Sequence, residues 1–168
     1  MDLAILARIN QQLFSFKKIL GKGEPVTLSR YLDARLVLFL NEDARDAAIE
    51  HLVDRLPVAN KEKFYQAILD REGIVSTGIG FGVAIPHAKF KDADRFMIAI
   101  GVHRGEGIEW NALDGRPVRL IFLIGGPEDK PTEYLKILSQ LTQLIKNDGL
   151  RKQLLQARTA EEVVSLLQ

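Results

Sequence analysis

The sequence has no cysteine, one tryptophan and two methionines, and its 168 residues carry 23 Lys and Arg against 22 Asp and Glu. Without thiols there is no disulfide framework, no thiolate catalysis, and no zinc or iron–sulfur centre built on cysteine. A formal charge of +1 gives none of the basic excess with which a dedicated nucleic-acid binder holds phosphate backbones. Long apolar runs are missing too: the longest, 118–126, is broken by Arg119, and falls well short of the roughly 20 residues that cross a bilayer. Asp2 and Arg8 sit in the first turns with no small-residue cleavage site after an apolar stretch, so no secretory signal is read and a cytoplasmic location is expected. What remains, 46% hydrophobic and 27% charged residues, is the composition of one globular domain able to bury a sizeable core.

Apolar periodicity sets out the expected elements. Leu3, Leu6, Ile9, Leu13, Phe16 and Leu20 recur at helical steps before Gly21 and Gly23, which predicts an N-terminal helical extension over 1–24 ahead of a domain at 25–168. The run 36–40 reads as a buried strand. A helix follows, capped by Asn41 or Asp43, with Ala47, Ala48, Leu52, Val53 and Leu56 on its apolar face and Pro57 after it. A second helix begins near Asn60, turns Phe64, Ala67 and Ile68 inward, and ends at Gly73 with Arg71 in its last turn. Residues 96–102 and 118–125 read as two strands able to pair as neighbours, and the rest is helical: Leu135, Leu138, Leu141 and Ile145 share a face, a short helix spans about 150–155, and Thr159 with Glu162 forms a capping box. The expected architecture is α/β, a central mixed β-sheet flanked by helices on both faces, in a single domain.

Three histidines limit where acid–base or nucleophilic chemistry could sit. His51 lies beside the apolar stripe of its helix and reads as a solvated residue; His103 ends a strand and reads as an edge residue. His87 differs, because it closes the stretch 76–89, where Gly78, Gly80 and Gly82 permit backbone geometries that a Cβ forbids. A nucleotide-binding loop would open directly into a helix. Here Val83-Ala84-Ile85-Pro86 follows; Pro86 removes a donor and holds Ile85 extended, so the segment presents the next side chain instead. No Gly-Lys-Ser/Thr follows the glycines, which excludes a P-loop. A histidine so placed can move a proton or attack an electrophile. If it took a phosphoryl group, the anionic oxygens would want a guanidinium, for which Arg71 is the nearest upstream candidate, although a cation at a helix C-terminus also has a purely structural use.

The stretch Val83-Ala84-Ile85-Pro86-His87-Ala88, behind its glycines, resembles the signature of the fructose/mannitol-type EIIA domains of the bacterial phosphoenolpyruvate-dependent phosphotransferase system, nitrogen-regulatory members included. The resemblance continues through Gly107-Ile108, Ala112 to Gly115, Pro117-Val118, Leu120 to Leu123 and the last helices, covering about 25–168. It implies that His87 accepts a phosphoryl group from an HPr-like, histidine-phosphorylated carrier protein, with no cofactor and no metal. It also implies a role near the site for Arg71, which stands sixteen residues before His87, and makes Ser76, Thr77, Gly78 and Gly80 candidates on the phosphate side. Two departures stand out. Phe81 takes a slot usually polar, and Tyr134 takes the slot before Leu135 where many members carry a second histidine; tyrosine can donate a hydrogen bond but cannot become cationic.

Imidazole suits a relay because it is nucleophilic near its reference pKa of about 6.5 and because a phosphorus–nitrogen bond hands the group onward. The expectation is therefore a phosphocarrier with His87 in a shallow depression ringed by Ile79, Phe81 and Ile85. The 168 residues hold neither a sugar-binding nor a membrane segment, which favours a regulatory target over a sugar-transport EIIB domain as the downstream partner. Two other readings stay open: a non-phosphorylated binding module on the same fold, and a hydrolase with His87 as general base.

Overall fold

The structure, a computed structural model, describes residues 27–168; the expected helix over 1–24 lies outside the described residues. Two 3-10 turns, Leu28–Tyr31 and Ala34–Leu36, lead into β1 (Val37–Leu40). Helices α1 (Arg45–Arg55) and α2 (Lys61–Ile74) follow, then the short strands β2 (Gly78–Gly80), β3 (Val83–Ala84) and β4 (His87–Phe90). The long strands β5 (Met97–His103) and β6 (Leu120–Pro127) precede α3 (Pro131–Ile145), α4 (Asp148–Gln156) and α5 (Ala160–Leu166).

The six strands form one mixed sheet in the order β1-β5-β6-β3-β2, with β4 also paired to β6. β1 runs parallel to β5 from Val37 opposite Ile100 to Leu40 opposite His103, and β5 runs antiparallel to β6, as expected of neighbours. Every residue of β5 and β6 is buried, because helices cover both faces. Ile98, Ile100, Leu120 and Phe122 face Ile137, Leu141 and Leu154 of α3 and α4. Their neighbours Ala99, Ile121 and Leu123 face Ile49, Leu52, Phe64 and Ile68 of α1 and α2. The expected α/β sheet with helices on both sides is therefore what forms.

Three caps are made by local side chains. The side chains of Asn60, Asn147 and Thr159 accept from the N–H of Lys63, Leu150 and Glu162 at 2.9, 3.0 and 3.2 Å. The Glu162 carboxylate reaches back to Arg158 N–H, one residue outside the usual box. At α1 the expected cap fails: the N-cap position is Ala44 without a side-chain bond, and Glu42 instead accepts from Asn41 N–H and pairs with His51. On α1 the buried face takes Ile49 in place of the exposed Ala47, and on α3 it centres on Tyr134, Ile137, Leu141 and Ile145, with Leu135 and Leu138 at its margins. His103 is no edge residue: it is 4% exposed because β1 lies beside β5. Its Nδ1 accepts from Gly105 N–H at 3.1 Å and its Nε2–H donates to the Glu42 carbonyl at 3.0 Å.

Candidate functional site

The glycine-rich stretch is a hairpin. β2 pairs antiparallel with β3 around a tight turn in which Gly80, Phe81 and Gly82 all have positive φ, 97°, 61° and 74°. Phe81 is the strained member, since a Cβ disfavours this region and an Asn or Gly would sit there at less cost. Two contacts hold it: its N–H donates to Asp114 Oδ2 at 2.9 Å, and the Arg151 guanidinium lies 4.8 Å from its ring centroid.

β3 and β4 are one strand interrupted. Val83 stands opposite Leu120 and His87 opposite Ile124, the same register on β6. Between them Pro86 has no N–H to give, its carbonyl accepts from Ile124 N–H at 3.0 Å, and Ile85 N–H turns away to the Thr77 carbonyl at 3.0 Å. This break leaves the Ile85 carbonyl in reach of the His87 ring, with Nδ1 at 2.9 Å. A carbonyl only accepts, so Nδ1 carries the proton and the lone pair of the neutral ring sits on Nε2.

His87 is half-buried, and Arg71 on α2, Tyr134 on α3 and Lys89 on β4 stand around it in an open depression of about 540 Å³, lined also by Ala67, Ala88 and Glu128. The Tyr134 ring centroid is 5.5 Å from that of His87, and Lys89 Nζ is 5.0 Å from the Tyr134 centroid. Arg71 Nη1 donates to the Val75 carbonyl at 3.0 Å, which ties the guanidinium to the end of its own helix. Burial pushes the His87 pKa below the ordinary imidazole value, and the positive charges of Arg71 and Lys89 push it the same way; the Ile85 hydrogen bond and the Glu72 charge oppose them. The ring is thus held neutral and nucleophilic. Burial raises the Tyr134 pKa, so its side chain stays an O–H donor at neutral pH.

Of the residues singled out in the sequence, His87, Arg71 and Tyr134 are brought together. Ser76, Thr77, Gly78 and Gly80 brace the hairpin. Ser76 Oγ donates to the Trp110 carbonyl at 2.7 Å and accepts from Gly78 N–H at 3.1 Å, and the Gly78 carbonyl accepts from Leu113 N–H at 3.0 Å. Thr77 is fastened to a carboxylate that sequence reasoning missed: Glu72, 4% exposed, accepts from Thr77 N–H at 3.1 Å, from the Thr77 hydroxyl, and from Trp110 Nε1–H at 3.2 Å. The expected apolar ring of Ile79, Phe81 and Ile85 does not form the rim. Ile85 is buried, and the exposed apolar residues beside Arg71 are Ile74 and Val75, 81% and 55% exposed. Lys89 and Glu128 were missed as well; strand alternation alone places residue 89 on the face of residue 87.

Among the described residues no cluster of His, Asp and Glu could hold a metal ion, and no helix is long and apolar enough to cross a membrane. The family model described as phosphoenolpyruvate-dependent sugar phosphotransferase system, EIIA 2, matches residues 30–168. The fructose-specific EIIA component of Haloferax volcanii is 35% identical over 127 residues, 73% of this chain and 82% of that protein. The fructose-specific EIIABC component of Bacillus subtilis is 34% identical over 134 residues, 77% of this chain but only 21% of that longer protein. Among solved structures, the nitrogen regulatory protein IIA-Ntr of Neisseria meningitidis superposes with a TM-score of 0.80 at 28% identity, covering 85% of this chain and 100% of that one.

Proposed function

The chain belongs to the EIIA 2 family of the phosphoenolpyruvate-dependent sugar phosphotransferase system, and from that membership we propose that His87 Nε2 accepts a phosphoryl group from a histidine-phosphorylated, HPr-like carrier protein. The observation that carries this reading is the Nδ1–H bond to Ile85, which leaves Nε2 as the unprotonated nitrogen of a ring placed between Arg71 and Tyr134. In the transfer, the Nε2 lone pair forms a bond to phosphorus while the phosphorus–nitrogen bond of the donor breaks, its electron pair returning to the donor imidazole. The Nδ1–H bond to the Ile85 carbonyl stabilises the positive charge that develops on the accepting ring. Arg71 faces the oxygens of the transferring group, its remaining N–H donors free for them beyond the one given to Val75. Lys89 adds a second positive charge and the Tyr134 hydroxyl a further donor; Glu128 opposes the anion and favours onward transfer. Ile74 and Val75 offer the carrier an apolar landing beside Arg71.

Downstream, the reading is regulatory: phosphorylation adds about 1.5 to 2 negative charges to a docking face, and the structural match to a nitrogen regulatory protein, over 85% of this chain, supports this. A second reading, transfer to a sugar-specific EIIB domain, is favoured by the fructose-specific relatives. Labelled phosphoprotein presented to a fructose EIIB domain separates them. Retention of the label supports regulation, and quantitative loss to EIIB supports transport. Intact mass after incubation with the upstream donors tests both, since each requires the gain of one phosphate.

A further inference from the structure

Four guanidiniums meet in a second cavity that shares no lining residue with the His87 depression. Arg30 and Arg35 come from the two 3-10 turns, Arg55 from the last turn of α1, and Arg95 from the approach to β5; all four are solvent-exposed, and together they line a half-open cavity of about 500 Å³. The size falls within the range of small-molecule sites, roughly 300–1,000 Å³. Its floor is apolar, with buried Tyr31 and Phe96. One carboxylate lines it, Asp33, and that group is engaged by Arg35 through Nη2 at 2.6 Å and Nε at 3.1 Å.

Structural uses account for part of this charge. Arg35 pairs with Asp33, and Arg55 complements the dipole at the end of α1. Arg30 lies near the end of the first 3-10 turn and the Arg95 charge helps Arg35 hold the Asp33 carboxyl low, yet among the described residues Arg30, Arg55 and Arg95 form no ion pair with any carboxylate. In a chain whose formal charge is only +1, four arginines against one acid around one cavity are a local concentration of charge that self-repulsion opposes.

We propose that this cavity binds a small molecule carrying two or more phosphate groups. Planar guanidiniums present paired N–H donors that match phosphate oxygens, and arginines arriving from three separate segments can grip more than one phosphate at once. The aromatic floor accommodates an organic part. Occupancy reaches the His87 depression by a short route: Phe96 stacks on Tyr134 with centroids 6.2 Å apart, and the Tyr31 hydroxyl donates to Glu133 Oε1 at 2.7 Å, one residue before Tyr134.

The inference is independent of phosphoryl transfer at His87, and its test makes no use of that reaction. The full chain is titrated at fixed ionic strength with inorganic pyrophosphate, with ADP and with sulfate, followed by amide and arginine side-chain resonances. Saturable binding of pyrophosphate is expected, with shifts at Arg30, Arg35, Arg55 and Arg95 and a smaller response at Tyr134. Tighter binding of ADP assigns the aromatic floor to the ligand's organic part, and equal binding keeps the site as one for the phosphates alone. Losing two charged hydrogen-bonding partners at about 1.5 kcal/mol or more each predicts at least a 10²-fold weaker pyrophosphate affinity in Arg55→Gln/Arg95→Gln. The control Arg116→Gln, remote from the cavity, stays within about twofold. Sulfate binding as tightly as pyrophosphate, no saturation, or equal loss in the control would overturn the proposal.

Discussion

Glu72 is where the fold and the site depend most on one side chain, and its removal can be worked through. Glu72→Ala takes the acceptor from Thr77 N–H, the Thr77 hydroxyl and Trp110 Nε1–H, all buried. The hydroxyl can rotate toward another acceptor, and Trp110 Nε1–H keeps the Thr77 oxygen at 3.4 Å, whereas Thr77 N–H is fixed and loses the carboxylate. Stranding that N–H costs about 1–3 kcal/mol and weakening the Trp110 bond adds to it, partly offset by relief of the buried carboxylate's own desolvation, so a net loss of about 2 kcal/mol is expected. Against a total stability of about 5–15 kcal/mol this is a large fraction. The assay is urea unfolding followed by fluorescence, in which Trp110 is the sole tryptophan and reports from the bond in question, with circular dichroism as a second probe. Thr77→Val removes the hydroxyl's bond to Glu72 and the weaker acceptor it offers Trp110 Nε1–H, so it should cost about 1 kcal/mol, and the double variant should show coupling of similar size. A cost below about 1 kcal/mol for Glu72→Ala, or strict additivity with Thr77→Val, refutes the claim that this carboxylate holds the hairpin.

Arg71→Ala is expected to slow phosphoryl acceptance by about 10²–10³-fold in single-turnover assays, and to raise the His87 pKa by removing a positive charge, visible as an upward-shifted imidazole titration. Arg71→Lys should restore much of the pKa shift but little of the rate, because an ammonium lacks the paired donors. The depressed His87 pKa also makes stability pH-dependent. Between the folded pKa and the unfolded value near about 6.5, the unfolded chain binds the extra proton, so stability rises with pH through that window and levels above it. Urea midpoints across pH should show this slope, and His87→Gln should flatten it. Gly126→Ala would place a Cβ 2.0 Å from Phe96 Cδ1 and is expected to cost about 1–3 kcal/mol in unfolding experiments.

Some of this was legible in the sequence and some could not be. β1, β5 and β6 announced themselves as apolar runs because helices cover both sheet faces, and Asn60 and Thr159 sit at caps where only local chemistry matters. β2, β3 and β4 were hidden: two to four residues each, punctuated by glycines and Pro86, they have no periodicity of their own and exist because β6 supplies their partner. His87 stood out through its motif and Arg71 through the resemblance, and the fold brings them into one depression with Tyr134. Glu72 escaped notice because a carboxylate near a helix end usually meets solvent, and only the tertiary position of Trp110 and Thr77 buries it. His103 was misjudged for a related reason: the end of a strand is exposed only if nothing lies beside it, and here Leu40 of β1 pairs with His103 while the chain just after β1 brings the Glu42 carbonyl to its ring.

The whole account turns on which atom carries the phosphate. Incubation with the upstream phosphoryl donors, followed by intact-mass and nitrogen-15 resonance measurements on wild type and His87→Gln, should show one added phosphate on wild type, located on Nε2, with Nδ1 still protonated against the Ile85 carbonyl. A phosphate on Nδ1, or one gained equally by His87→Gln, would contradict it.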